Sequence, residues 1–203
     1  MKRLPQILLI LTFLAFSWLA MQAVHELGHV LAAWVTGGEV ARVVLVPWEI
    51  SRTELAPSGN PHPLAVVWAG PLMGVVAPLL FYLILLGASV APCFGLGRAS
   101  AWLYLPRFFA GFCLIANGGY IGTAWLLTDG GDATAMTRHG SPVWLLIAFG
   151  TLTAAAGLYL WHGQGTHFGL GDARGKVNGR AAAVSAGLFV VIVAAELVCT
   201  TNH

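Results

Sequence analysis

Apolar residues run through this chain in long blocks separated by short polar breaks. The blocks are too long for the alternation of a half-buried strand or the one-sided stripe of a soluble helix. Crossing the hydrocarbon as a helix takes about 20 apolar residues, because every backbone polar group must be satisfied inside the segment. Five stretches meet that length, at about 4–35, 64–86, 101–127, 143–161 and 181–199. Pro5 falls in the first turn of the first stretch, where its missing N–H costs nothing. The break from 36 to 63 differs in kind. Val40 to Pro47 is β-branched without a helical period, and Ser58-Gly59-Asn60-Pro61 is turn chemistry. A short strand or hairpin is predicted there, at or dipping into the membrane interface. The break from 162 to 180 is rich in Gly and polar residues and reads as a solvated loop.

Composition narrows the class. Of the 203 residues, 58% are hydrophobic and 9% charged, against roughly 25% charged in an average soluble domain. Mean hydropathy is +0.79. So few charges would leave a soluble globule uncovered. A formal net charge of +2 without a basic run excludes a nucleic-acid partner and a disordered chain. Cys93, Cys113 and Cys199 are widely spaced and give neither a disulfide framework nor a CxxC site. The expected fold is an all-α polytopic membrane protein: one membrane domain over 1–203, of about five transmembrane helices with a small interfacial β-strand or hairpin after the first. It is expected to be multi-pass in the cell membrane, surrounded by lipid bilayer.

The start Met-Lys-Arg followed by apolar residues has the form of a signal peptide. The apolar run continues through residues 25–29 to Val35, beyond an h-region, so a retained span is expected. With a cytoplasmic N-terminus, Lys2, Arg3, Arg98, Arg107, Arg174, Lys176 and Arg180 lie inside, and Arg42, Arg52 and Arg138 outside. Seven against three favours that orientation and an external C-terminus.

Most acidic residues need no chemistry. Glu39, Glu49, Glu54 and Asp172 fall in connections, and Glu196 sits near the end of the fifth stretch, where it is expected to snorkel. Glu26 is the outlier, inside an apolar helix in the cluster His25-Glu26-Leu27-Gly28-His29. On a helix His25 and His29 are one turn apart on one face, so both imidazoles can reach one Zn²⁺. Glu26 projects about 100° round the helix, where it can take a proton from water as general base. The bland alternative is a pair of buried histidines bonded to a glutamate for structure alone. Three ionisable groups in one membrane helix cost several kcal/mol unless paired or ligated, which favours the metal.

Two histidines do not complete a catalytic site, which takes three protein ligands and an open position. Asp129 and Asp132, in Leu127-Thr128-Asp129-Gly130-Gly131-Asp132, are the candidates. The first and third helices cross in the same direction, so their C-terminal ends share a face. His29 lies roughly 9 Å of helix before Val35, within reach of an aspartate on a Gly-Gly segment folded inwards. One aspartate is expected to ligate and the other to cap the segment 133–138; spacing does not choose between them. Gly70 and Gly74 form a GxxxG pair that reads as close helix packing. Asn117, inside the third stretch, reads as an interhelical hydrogen bond or a contact to substrate.

Three segments in this order resemble the site-2 protease family of intramembrane zinc metalloproteases. Ala23-Val-His-Glu-Leu-Gly-His-Val-Leu-Ala-Ala33 is similar to the family's metal helix. Ala69-Gly70-Pro71-Leu72-Met73-Gly74 resembles its Ala-Gly-Pro segment, and Leu127-Thr-Asp-Gly-Gly131 its Leu-Asp-Gly segment with Thr inserted. The resemblance implies a three-helix catalytic core at about 4–132, with additional helices at about 143–199, and peptide hydrolysis within the membrane. It maps zinc ligation to His25, His29 and Asp129, with Asp132 competing as third ligand, and the base to Glu26. It also implies an edge strand at about Val40–Pro47 that pairs with an unwound substrate. Asn117-Gly118-Gly119-Tyr120 stands where the family has an Asn-Pro-type segment, without the proline. The family's site opens to the cytosol, whereas the charge count places this one outside.

The implied partners are a membrane protein or peptide substrate and, since no recognition module is inserted, an accessory protein or an already trimmed substrate. Rival readings are a zinc hydrolase of a non-peptide substrate, a membrane metal carrier or sensor with no need of Glu26, and a catalytically inactive protease-like scaffold.

Overall fold

The computed structural model describes residues 3–90, 101–123, 126 and 131–201. Lys2, Cys93, Arg98 and Asp129 lie outside the described residues. The chain runs α1 (Leu4–Val35), β1 (Val40–Val44), β2 (Arg52–Leu55), α2 (Pro63–Val90), α3 (Tyr104–Thr123), α4 (Gly131–Arg138), α5 (Val143–Trp161) and α6 (Gly179–Thr201). Two 3₁₀ turns, Gly165–Phe168 and Gly171–Ala173, shape the loop before α6.

Among the described residues four helices are long and apolar enough to cross a membrane: α1, α2, α5 and α6. Their outward residues, such as Phe81, Ile84, Leu152, Val190 and Val191, are large and apolar, as a hydrocarbon surround requires. The third predicted stretch is realised as α3, 20 residues long but less apolar, since it carries Arg107, Asn117 and several glycines. It lies between α2 and α5 while α1 lies between α2 and α6.

The α3–α5 seam is built on glycine. A Cβ on Gly150 would stand 2.5 Å from Gly122 Cα and 2.6 Å from Gly118 O, and one on Gly157 would stand 2.7 Å from Gly111 O. Backbone therefore meets backbone along this seam, and the tight fit sets α3 close against α5.

The break after α1 is a hairpin. Thr36 N–H donates to Ala32 O and Gly38 N–H to Ala33 O, while Gly37, at φ +77°, turns the chain away. β1 and β2 pair antiparallel, Val43 opposite Thr53 and Val44 opposite Arg52, with a bulge between Val40 and Arg42. Glu54, in the 36–63 connection where a short strand or hairpin is predicted, is in β2. Four residues of mixed polarity are too few for a period-2 signal to stand out.

A core at one end gathers Leu9, Phe13, Tyr104, Leu105 and Phe168. A second cluster, of Ile121, Ala133, Met136 and Leu146 with Val67, Trp68 and Phe149 packed on it, fastens the short α4 to α2, α3 and α5. Trp68 Nε1–H donates to Ser141 Oγ at 2.8 Å beside it. Glu196 does not snorkel as expected: its side chain faces the protein and is 2% exposed.

Candidate metal centre

His25 and His29 face inward from α1, their rings 4.9 Å apart edge to face. Each has its Nδ1 committed. His29 Nδ1 lies 2.8 Å from the carbonyl oxygen of Val66 on α2. A carbonyl only accepts, so Nδ1 carries the proton. His25 Nδ1 lies 2.7 Å from Asn117 Oδ1 on α3. The Asn117 amide is oriented by its own Nδ2–H, which donates to Cys113 O at 2.9 Å. Its Oδ1 must then accept, and His25 too is the Nδ1–H tautomer.

With both Nδ1 atoms donating, the two Nε2 atoms are the ones turned on one carboxylate, as lone pairs in the neutral rings and as N–H donors once a ring is protonated. His25 Nε2 is 2.9 Å from Asp132 Oδ2, and His29 Nε2 is 3.5 Å from Asp132 Oδ1. The ligand atoms of the three residues lie within 4.8 Å of one another. Two nitrogen lone pairs and an anion repel unless a cation stands between them. That cation is a proton on an imidazole in the metal-free chain, or a metal ion. The two separations run to different oxygens of the carboxylate, and ligand atoms within 4.8 Å of one another are near enough for one small cation to touch all three residues. The donor set of two imidazoles and a carboxylate fits such an ion, and the backing of His25 by Asn117 and of His29 by Val66 O is what orients metal-bound imidazoles.

Asp132 enters from the first turn of α4. Gly131, at φ +78°, brings the chain in against Tyr120, and Asp132 N–H donates to Tyr120 Oη at 3.0 Å. Burial pushes the Asp132 carboxyl up, but the bonds to His25 and His29 outweigh it and hold the group well below the usual carboxylate range.

Glu26 lies beside this group and not within it. It is 6% exposed, and its Oε2 accepts from Thr53 Oγ1 on β2 at 2.7 Å. One turn earlier Gln22 Oε1 accepts from Ser51 N–H at 2.8 Å. A cavity of about 690 Å³ opens over the cluster, lined by His25, Glu26, His29 and Asp132 and walled by apolar residues including Trp18, Met21 and Val67.

The structure thus gathers His25, Glu26, His29, Asn117 and Asp132, while Asp129, to which the resemblance assigned ligation, lies outside the described residues. Asn117 touches the cavity, but with 1% exposure both its amide atoms are taken, so it orients His25. The strand along the cavity is β2, through Arg52, Thr53 and Leu55, with Ser51 just before it, and not β1 over the Val40–Pro47 expected. Gly70 and Gly74 do more than pack helices: a Cβ on Gly70 would run into His29, and one on Gly74 would stand 2.7 Å from the Asn117 amide.

Sequence reasoning missed Thr53, Tyr120 and the Val66 carbonyl. Tyr120 is one helical turn beyond Asn117, a spacing that could have found it. Thr53 and Val66 O leave no such signal. Comparison with protein-family models, with curated proteins and with solved structures gives no match.

Proposed function

We propose that this chain is an intramembrane zinc metalloprotease of the cell membrane, hydrolysing peptide bonds of membrane-embedded or membrane-adjacent substrates. The observation that carries the reading is the orientation of the two imidazoles, each Nδ1 on an oxygen acceptor and each Nε2 turned on the Asp132 carboxylate, beside a buried glutamate. In this reading α3 crosses as well, giving five spans; its 20 residues make about 30 Å of helix.

A Zn²⁺ held by His25, His29 and Asp132 would acidify a water and polarise the scissile carbonyl. Glu26 supplies the proton chemistry. Thr53 occupies Oε2, which leaves Oε1 to take the proton as the new C–O bond forms. The same oxygen then delivers the proton to the amide nitrogen as the C–N bond breaks. Asn117 and Val66 O hold the imidazoles in their tautomers throughout. The substrate must be unwound, because a helix hides its peptide carbonyls, and β2 at the cavity wall offers an extended template.

The test is metal analysis of detergent-purified protein together with cleavage of a membrane-anchored reporter. We expect about one zinc per chain in the wild type and in Asp129→Asn, with zinc lost in His29→Ala and Asp132→Asn. Glu26→Gln should keep zinc and stop cleavage. Zinc absent from reconstituted wild type sinks the proposal, as does undiminished cleavage by Glu26→Gln.

A further inference from the structure

We infer that Thr53 is the positioning residue for Glu26, so that the β1–β2 hairpin sets the geometry of the base. The inference rests on the hydrolytic reading above. Gln22 and Glu26 are four apart on α1, and Ser51, just before β2, and Thr53 within it are two apart. Four residues of helix rise about 6 Å and two residues of strand about 6.6 Å, so the two hydrogen bonds are in step. Ser51 N–H meets Gln22 Oε1 at 2.8 Å and Thr53 Oγ1 meets Glu26 Oε2 at 2.7 Å. The strand is thereby laid along the face of α1 that bears the base.

The two bonds have different work. The first joins a backbone donor to a side chain outside the metal group and sets the strand's register. The second ends on the base itself. Thr53 Oγ1 is also 3.5 Å from Glu26 O, so the hydroxyl sits between the carboxylate and the backbone of its own residue. With Oε2 so held, the rotation of the carboxylate that would swing Oε1 away from the reacting water is blocked. The hydrogen bonds of the Thr53 hydroxyl end on Glu26, so it acts through that residue. A peptide pairing beside Thr53 on β2 bears on the base through the same side chain.

Zinc-loaded wild type, Thr53→Val and Thr53→Ser are reconstituted in proteoliposomes with a quenched-fluorescence transmembrane peptide whose apolar segment carries a Gly-Pro break. In Thr53→Val, kcat should fall about 10²-fold, the cost of a misplaced catalytic group, with KM and zinc content unchanged. Thr53→Ser should restore kcat. Undiminished kcat in Thr53→Val overturns the proposal, and so does a rise in KM alone, which would make Thr53 a docking residue. The infrared carboxylate band of Glu26, identified by difference from Glu26→Gln, should move in Thr53→Val and return in Thr53→Ser. An unmoved band overturns the proposal whether or not peptide is cut. A moving band in a wild type that cuts no peptide sustains the Thr53 contact and removes the hydrolytic reading instead.

Discussion

Replacing Gly70 by Ala adds one methyl group and should abolish metal binding at the proposed centre without unfolding the protein. Gly70 and Val66 are one turn apart on α2, and His29 lies against both: its Nδ1–H is bonded to Val66 O at 2.8 Å while its far side crosses Gly70. A Cβ on Gly70 would stand 2.7 Å from His29 Cδ2 and closer still to Cε1 and Nε2. Uncrowded contact needs about 3.5–4.0 Å, so the ring must retreat by well over ~1 Å. A metal ligand tolerates about 0.2 Å. The ring cannot pivot away without giving up the Val66 bond, worth about 1 kcal/mol. Zinc affinity should therefore drop by more than the roughly 10–100-fold seen when a ligand's backing is lost.

Stability should change little by comparison. Ala gains about 0.5–1 kcal/mol over Gly in a helix, against about 1–3 kcal/mol for overpacking. Gly87→Ala on the same helix, where a Cβ meets nothing within 4 Å, is the control and should behave as wild type. The assay is chelator competition for zinc beside thermal unfolding followed by circular dichroism. Wild-type zinc affinity in Gly70→Ala would refute the placement of His29 against α2.

Asn117→Leu removes the acceptor that fixes the His25 tautomer and should weaken zinc about 10–100-fold, whereas Asn117→Asp keeps an acceptor and should bind far better than Leu; equal affinities in the two would refute the role. Gly150→Ala drives a methyl into Gly122 Cα and Gly118 O, backbone that cannot step aside. It should lower the unfolding midpoint by the equivalent of about 1–3 kcal/mol, and an unchanged midpoint would show that the α3–α5 seam is looser than drawn.

The sequence alone determined the elements whose signal is local. Spans at 4–35 and 143–161 were legible to the residue, because a hydrocarbon-length apolar run and its polar breaks are properties of contiguous residues. The pairing of His25 with His29, and the exclusion of Glu26 from their face, followed from helical spacing alone. The third member of the cluster did not. Asp129 and Asp132 are equally near in sequence, and the aspartate seen beside the histidines is the one that α4 delivers, through packing of Ala133 and Met136 on distant residues of α2, α3 and α5. The GxxxG pair was visible as a small surface, but only the fold shows that the space it leaves is filled by His29 and Asn117. The convergence of both Nε2 atoms on Asp132 rests on contacts from elsewhere in the chain, with Val66 O and the Asn117 amide arriving from two other helices. So does the hold of Thr53 on Glu26, across a hairpin whose second strand is too short to announce itself. Periodicity reports which face of an element is apolar; which atoms meet there is decided by contacts between elements far apart in the chain, and those exist only once the helices have packed.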